Sequence, residues 1–292
     1  MSDDGQHGIT LIAFVGSVFS PYYAWARQRA RANPETVNPD NHCALNVAIY
    51  SKGQSRWAMT ERGQRHCSRS ASHFTIGPSQ MRWDGDCLTI DIDEVCVPLP
   101  RRIRGRIRLW PQQLFTYSTP LDAAGQHRWG PLAPASRIEV SLSAPDLQWQ
   151  GHAYLDSNEG DEPVERGFHT WNWSRALTRD RSTLVFYDMQ APDTEDRLLC
   201  LRFTPQGTVE PIDTPAAHRL PKTGWRIERR MRSTQAVRVQ KQLEDTPFYQ
   251  RALVQFDHAG EHLLAFHETL SVPRLVSPVV QAMLPWRMPR RA

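Results

Sequence analysis

Hydrophobic residues along this chain recur most often at every second position, the spacing of a half-buried β-strand. In LTIDIDEVCVPL (Leu88–Leu99), Leu, Ile, Ile, Val and Val alternate with Thr, Asp, Asp and Cys. In RIRGRIRLW (Arg102–Trp110), Ile103, Gly105, Ile107 and Leu109 alternate with arginines, and Pro98 and Pro100 separate this run from the one before. The same pattern predicts strands over Arg137–Leu142, Leu147–Leu155, Ser182–Asp188, Arg197–Phe203, Trp225–Met231, Ala236–Asp245, Arg251–Phe256 and Glu261–Leu270. Helix signals are few. Ser20 followed by Pro21 forms a cap and first-turn pair ahead of YYAWARQRARA, and SPVVQAML (Ser277–Leu284) is a second candidate.

Many short strands separated by turn residues predict an all-β protein. Their number exceeds what one small barrel needs. The expectation is two tandem antiparallel β-barrels with few short helices, one over residues 1–160 and one over 161–292. The acidic, polar stretch DSNEGDEPVERG (Asp156–Gly167) marks the seam. It leads directly into GFHTWNWSRAL, where His169, Trp171, Trp173 and Arg175 crowd together. Tryptophans two apart on an extended segment point to one side, either into a core or into a pocket for something large and apolar.

Composition narrows the class. The chain has 292 residues, of which 40% are hydrophobic, and a mean hydropathy of −0.55, the profile of a water-soluble protein. Its longest apolar run, Ile9–Phe19, is about half the ~20 residues of a membrane-spanning helix. Asp3 and Asp4 stand where the basic region of a secretory leader belongs, so the expected location is the cytoplasm. Five scattered cysteines without a CxxC pair fit free thiols in a reducing compartment. Net charge is +4, but arginines cluster at Ala26–Ala32, Pro100–Trp110, Trp225–Arg232 and the C-terminus. No helix-turn-helix, RNA-recognition or zinc-finger pattern accompanies them, so nucleic acid is not the expected partner. Strand faces turned to solvent, or an anionic lipid surface, suit these runs.

No glycine-rich phosphate loop, GxSxG elbow or HExxH motif is present, and no cofactor or metal is expected. His262 and His267, five apart on a strand, would face opposite sides, and the His42–Cys43 and His66–Cys67 pairs are poorly spaced for one tetrahedral site. Acid/base groups offer more. Asp188 closes a strand beside Tyr187, and Asp156 closes another beside Tyr154. A carboxyl partly desolvated by aromatic neighbours keeps its proton at higher pH and can act as a general acid, although aspartates at strand ends commonly cap turns.

An ordered series over nearly the whole chain carries a resemblance: FVGSVFSPYYAWAR, NPDNHCALNVAIYS, RWAMTERG, WDGDCLTIDIDEVCVPLPRRIRGRIRL, YLDSNEGDEPVE, WNWSRAL and MLPWRMPRR. Together these segments resemble the carotenoid 1,2-hydratases, or hydroxyneurosporene synthases, of purple photosynthetic bacteria. The resemblance implies a lipocalin-like tandem and a cofactor-independent lyase. It would add water across the terminal double bond of an acyclic carotene such as neurosporene or lycopene, on the way to spheroidene- or spirilloxanthin-type pigments. The family's acid/base set, one aspartate with a histidine, a tryptophan and a tyrosine, is matched in type by the His-Thr-Trp and Tyr-Asp stretches. That assigns Asp188 as proton donor, with Asp156 as the alternative. Trp171 and Tyr187 would face the cation and His169 would position the water or hold the aspartate's proton, while Tyr154, Trp173 and Phe186 would line the substrate site. A membrane-dwelling substrate implies peripheral association with the inner or photosynthetic membrane. A non-catalytic carotenoid carrier of the same fold is the competing expectation.

Overall fold

The computed structural model describes residues 1–30, 33 and 36–291. In chain order the strands are β1 (Gly8–Phe14), β2 (Cys43–Tyr50), β3 (Arg56–Arg62), β4 (Cys67–Arg69), β5 (His73–Ile76), β6 (Ser79–Trp83) and β7 (Leu88–Val95). There follow β8 (Arg102–Pro111), β9 (Thr119–Pro120), β10 (His127–Ala144), β11 (Asp146–Gly160), β12 (Thr170–Leu177), β13 (Thr183–Gln190) and β14 (Arg197–Phe203). The last are β15 (Val209–Pro211), β16 (Ala217–Arg219), β17 (Arg230–Arg232), β18 (Arg238–Asp245), β19 (Tyr249–His258), β20 (Glu261–Ser271) and β21 (Arg290–Arg291). The α-helices are short: α1 (Pro21–Arg29), α2 (Val164–Gly167), α3 (Val272–Leu275) and α4 (Pro278–Met283). The chain is thus mostly β with few short helices, as its period-two pattern predicts. Helix α1 starts where expected because the Ser20 hydroxyl accepts the Tyr23 N–H at 2.9 Å. Arg31 and Ala32, the expected end of that helix, lie outside the described residues.

Contacts divide the chain into two compact units. The first holds Met1–Pro111, Ser136–Ala153 and Gln281–Ala292, and the second Gln112–Ala135 and Tyr154–Val280. The expected cut at residue 160 sits at the close of β11, whereas membership of the units changes at Ala153/Tyr154, inside that strand. Residues of β10 and β11 therefore belong to both units.

In the first unit, a sheet ordered β1-β2-β3-β21 and the strands β8-β7-β6-β5-β4 enclose an aliphatic core. Leu45, Val47 and Ile49 contribute from β2, and Ile90, Ile92, Ile103 and Ile107 from β7 and β8. The arginines of β8 point outward, where Arg102 and Arg106 pair with Asp93 and Asp91. One departure from the alternation is instructive. Beyond Ile92 the inward position of β7 is taken by Glu94, 1% exposed, rather than by Val95. Arg62 (3.2 Å) and the Ser79 hydroxyl (2.9 Å) satisfy its oxygens, so a buried charge is tolerated because it is paired and hydrogen-bonded. Gly105 is required where it stands. At φ +152°, a Cβ there would lie 2.3 Å from the Ser141 carbonyl oxygen, next to the irregularity that shifts β10 against β8.

The second unit is built on an antiparallel sheet ordered β15-β14-β13-β12-β20-β19-β18. Its edges stay open. Three-residue β15 ends in Pro211, which donates no ladder hydrogen bond, and β18 carries two register shifts that re-aim its backbone. Among the described residues the sheets are thus open paths, and no closed barrel forms.

One face of this sheet is apolar. Leu184, Phe186, Cys200, Val254, Phe256 and Ala265 pack there against Leu220 and Met231. A polar thread runs through the same face. The Ser174 hydroxyl lies 2.8 Å from His267 Nδ1, and Thr269 Oγ1 lies 3.2 Å from Nε2. Thr269 also donates to Asn172 (2.8 Å) and accepts from Gln250, which in turn accepts from Arg229. Burial, reinforced by the Arg229 charge, pushes the His267 pKa down to about 3, so the ring is neutral at physiological pH.

A histidine whose folded pKa lies below its unfolded value stabilises the fold fully above the unfolded value, near 6.5. That stability is lost as pH falls towards the folded pKa. Between pH 7 and pH 4.5, wild type should lose about 2–3 kcal/mol more unfolding free energy than His267→Gln in urea titrations. Equal losses would show that His267 does not carry the linkage.

Candidate active site

Alternation decides which side chains of β12 and its neighbours can meet. Trp173 stands opposite Tyr187 on β13 and opposite Glu268 on β20, while Arg175 stands opposite Val185 and Phe266. These residues share the sheet face that points away from the apolar cluster. Asn172 and Asp188 are likewise opposed, on the other face.

The aromatic face is met by the first half of β10 and the end of β11, all within the second unit. Trp129 Nε1 donates to Asp156 Oδ2 at 2.8 Å, and the Tyr154 hydroxyl donates to the same oxygen at 3.1 Å. The Trp129 ring meets Tyr187 edge-on at 5.8 Å, and Tyr154 lies 5.3 Å from Trp173. The Arg175 guanidinium sits 5.5 Å from the Tyr154 ring centroid and 5.6 Å from that of Phe266. Glu268 is held by Arg251 at 2.8 Å, and Arg251 also binds Glu244 at 2.9 Å. Asp156, Tyr154 and Arg175 are crowded by protein as deeply as core residues, yet each keeps some accessible surface. These side chains are thus deeply crowded by protein without being sealed from solvent.

That crowding sets the charges. Burial pushes the Asp156 pKa up to about 6. The neighbouring Glu268 adds to the rise, and the Trp129 and Tyr154 hydrogen bonds and the Arg175 charge hold it back. Burial also raises the phenols of Tyr154 and Tyr187, so both remain neutral donors. The Trp173 indole N–H is buried and has no partner among the described residues. An orphan donor of this kind marks a place where an oxygen can sit.

A second polar pair joins the first residue of β10 to the turn before it. His127, two residues before Trp129, points to the same buried side of β10. Its Nδ1 lies 2.6 Å from Asp122 Oδ2, and its ring packs at 4.8 Å against Phe168, which meets Trp171 at 5.6 Å. Its Nε2 is buried without a partner among the described residues.

Among the residues expected from sequence, the structure brings Asp156, Tyr154, Trp173 and Tyr187 together, with Trp171 further along the same face. It places three elsewhere. Asp188 lies on the opposite face, where Arg232 takes both its oxygens, Nη2 at 2.6 Å from Oδ1 and Nε at 3.0 Å from Oδ2. Phe186 is in the apolar cluster of that face. His169 is exposed before β12, engaged through its backbone with Gln190 and Val272.

Trp129, His127 and Asp122 were not legible as site residues. Gly130, Pro131 and Pro134 read as turn residues ahead of Arg137 and conceal that β10 begins at His127. The available signal was the two-residue step from His127 to Trp129.

Comparison with known proteins agrees over the full chain. Residues 11–292 match the family model described as the carotenoid hydratase CrtC. The chain is 52% identical to an acyclic carotenoid 1,2-hydratase of Rubrivivax gelatinosus, over 100% of this chain and 72% of that one. It is 51% identical to the protein of the same name from Thiocapsa roseopersicina, over 99% and 71%. A solved AttH structure from Nitrosomonas europaea shares the fold at a TM-score of 0.57 and 10% identity, over 78% of this chain and 80% of that one.

A carboxyl with a raised folded pKa costs stability once pH exceeds its unfolded value, here near 3.8, and the cost is complete above about 6. Asp156→Asn, which keeps an acceptor for Trp129 and Tyr154, should therefore be more stable than wild type at pH 8, by up to about 3 kcal/mol. The gain should vanish at pH 4, as read by thermal unfolding at both pH values. A gain of the same size at pH 4 would mean that ionisation is not its origin.

Proposed function

The chain belongs to the carotenoid hydratase family, and from that premise we infer that it is a hydro-lyase adding water to the terminal 1,2 double bond of acyclic carotenes. The observation that carries our account of the chemistry is Asp156, a carboxyl with a pKa raised to about 6, held by two neutral donors among aromatic rings.

An isolated trisubstituted alkene accepts water only after protonation. Asp156 gives its proton to carbon 2 of the alkene, which leaves a tertiary cation at carbon 1. Trp129 and Tyr154 then stabilise the carboxylate that forms, since hydrogen bonds to an ionised acceptor are the stronger ones. The faces of Trp173 and Tyr187 can stabilise the cation by up to ~2 kcal/mol per desolvated ring. His127 Nε2 takes a proton from the water as its oxygen bonds to carbon 1, and the Trp173 N–H offers that oxygen a hydrogen bond. Asp156 thus replaces Asp188 as the donor we favour, because Asp188 is clamped by Arg232 on the far face. His127 replaces His169, which is exposed. The addition is redox-neutral and consumes only substrate and water.

We read the two units as lipocalin-like halves, with the second offering an apolar-walled site to one end of the carotene. Burial of that end contributes roughly 25 cal/mol per Å² of apolar surface. Since the substrate resides in lipid, we place the protein at a membrane surface, approached through its basic, arginine-rich segments. Among the described residues no helix is long and apolar enough to cross a membrane.

The test is anaerobic incubation of purified protein with lycopene in liposomes, in water enriched in heavy oxygen and without added cofactor. Mass spectrometry should show a product heavier by one labelled water. Asp156→Asn should still bind lycopene but turn over ~10²–10⁴-fold more slowly. Lycopene retained unchanged by wild type would instead indicate a carrier, and full turnover by Asp156→Asn would remove the aspartate from the chemistry.

A further inference from the structure

Residues 121–127 fold back on themselves, with the Leu121 N–H on the His127 carbonyl at 2.8 Å, so that Asp122 lies beside the His127 ring. Both residues are buried, at 9% and 6% exposure. Asp122 Oδ1 accepts the Gln126 N–H at 3.0 Å. Oδ2 accepts the His127 N–H at 2.8 Å and, among the described residues, is the only oxygen bonded to the ring, through Nδ1 at 2.6 Å. Two backbone donors therefore fix the carboxylate before the ring reaches it.

Burial alone would raise the Asp122 pKa, but the bonds from His127 and from the two backbone N–H groups outweigh it and hold the carboxyl below its usual value. An ionised carboxylate can only accept, so Nδ1 must carry the proton. The ring is also locked in place. Phe168 packs on it, and Gly160 and Gly167 approach so closely that a Cβ at either would come within 2.9 or 2.7 Å of a ring atom. With Nδ1 donating, Nε2 is left buried and without a partner among the described residues, on a ring that shares the buried face of β10 with Trp129.

We propose that Asp122 is a positioning residue for hydration. It fixes the His127 tautomer and orientation so that Nε2 presents a lone pair to the attacking water. This rests on the reading of His127 as the base. In the step it serves, the water O–H bond breaks as oxygen bonds to carbon 1, and the proton passes to Nε2. The resulting imidazolium is stabilised by the Asp122 carboxylate. That proton balances the one Asp156 has delivered to carbon 2, and its return to Asp156 resets the site.

The test pairs kinetics with a signal that a purely structural aspartate would not affect. In wild type labelled with ¹⁵N-histidine, with the His127 resonances identified by their loss in His127→Gln, Nδ1 should be protonated and Nε2 bare. In Asp122→Asn, whose amide can donate to Nδ1, the other tautomer should gain population. Turnover of lycopene should fall ~10²–10⁴-fold while its dissociation constant stays within about twofold. A wild-type His127 protonated on Nε2 and bare on Nδ1 would overturn the proposal, even if Asp122→Asn failed to fold. So would a folded Asp122→Asn with unchanged turnover. Asp156→Asn separates the two levels. If it is inactive while Asp122→Asn is not, only this inference falls; if it is active, the acid/base reading beneath it falls.

Discussion

The second unit depends on burying a carboxyl group among aromatic rings without giving it a cationic hydrogen-bond partner. Arginine is abundant in this chain, and elsewhere it neutralises buried acids directly, as Arg62 does for Glu94 and Arg232 for Asp188. At Asp156 the donors are instead an indole and a phenol, both neutral, and the nearest guanidinium lies against the rings of Tyr154 and Phe266. A directly paired acid would be a spectator. An acid with neutral donors retains its proton and can still release it, because the same donors strengthen when the carboxylate forms. The difference between a structural and a reactive aspartate here is the identity of the group that hydrogen-bonds to it.

Sheet register makes that separation possible. Asp188 follows Tyr187 directly, and the pleat sends them to opposite faces. One face of the seven-stranded sheet takes the aliphatic cluster and the neutral His267 network. The other takes Trp173, Tyr187, Arg175 and Glu268, against Trp129 and Asp156. A slip of one residue in β12 would exchange the two sets. The arrangement suits an apolar substrate with one reactive end, for which burial supplies affinity while a few polar atoms at one spot supply the chemistry.

Much of this was legible in the sequence. Alternation located β13, β14, β18, β19 and β20, and Ser20-Pro21 located α1, because both signals are local; the expected strand over Trp225–Met231 is extended only at its end, in β17. Asp156, Tyr154 and Tyr187 were visible as acidic and aromatic residues near strand ends, and Trp173 as one of two tryptophans on an extended segment. What could not be read was which face each would join. Asp188 directly follows Tyr187, whereas Asp156 stands two residues beyond Tyr154 and shares its side of the strand; spacing separates the two carboxylates, but only the tertiary arrangement gives Arg232 to one and Trp129 to the other. Glycine and two prolines obscured the start of β10, and with it His127 and Trp129. The open edges of the sheet likewise follow from long-range features, a terminal proline and register shifts, that period two does not report.

The central claim is that Asp156 is a protonated acid within reach of physiological pH, and its carboxyl group can be observed directly. Infrared difference spectra of wild type minus Asp156→Asn, recorded across pH, isolate the carbonyl stretch of this one group. The account predicts a protonated-carboxyl band at pH 5 that titrates away with a midpoint near 6. A carboxylate signature already complete at pH 5 would contradict it.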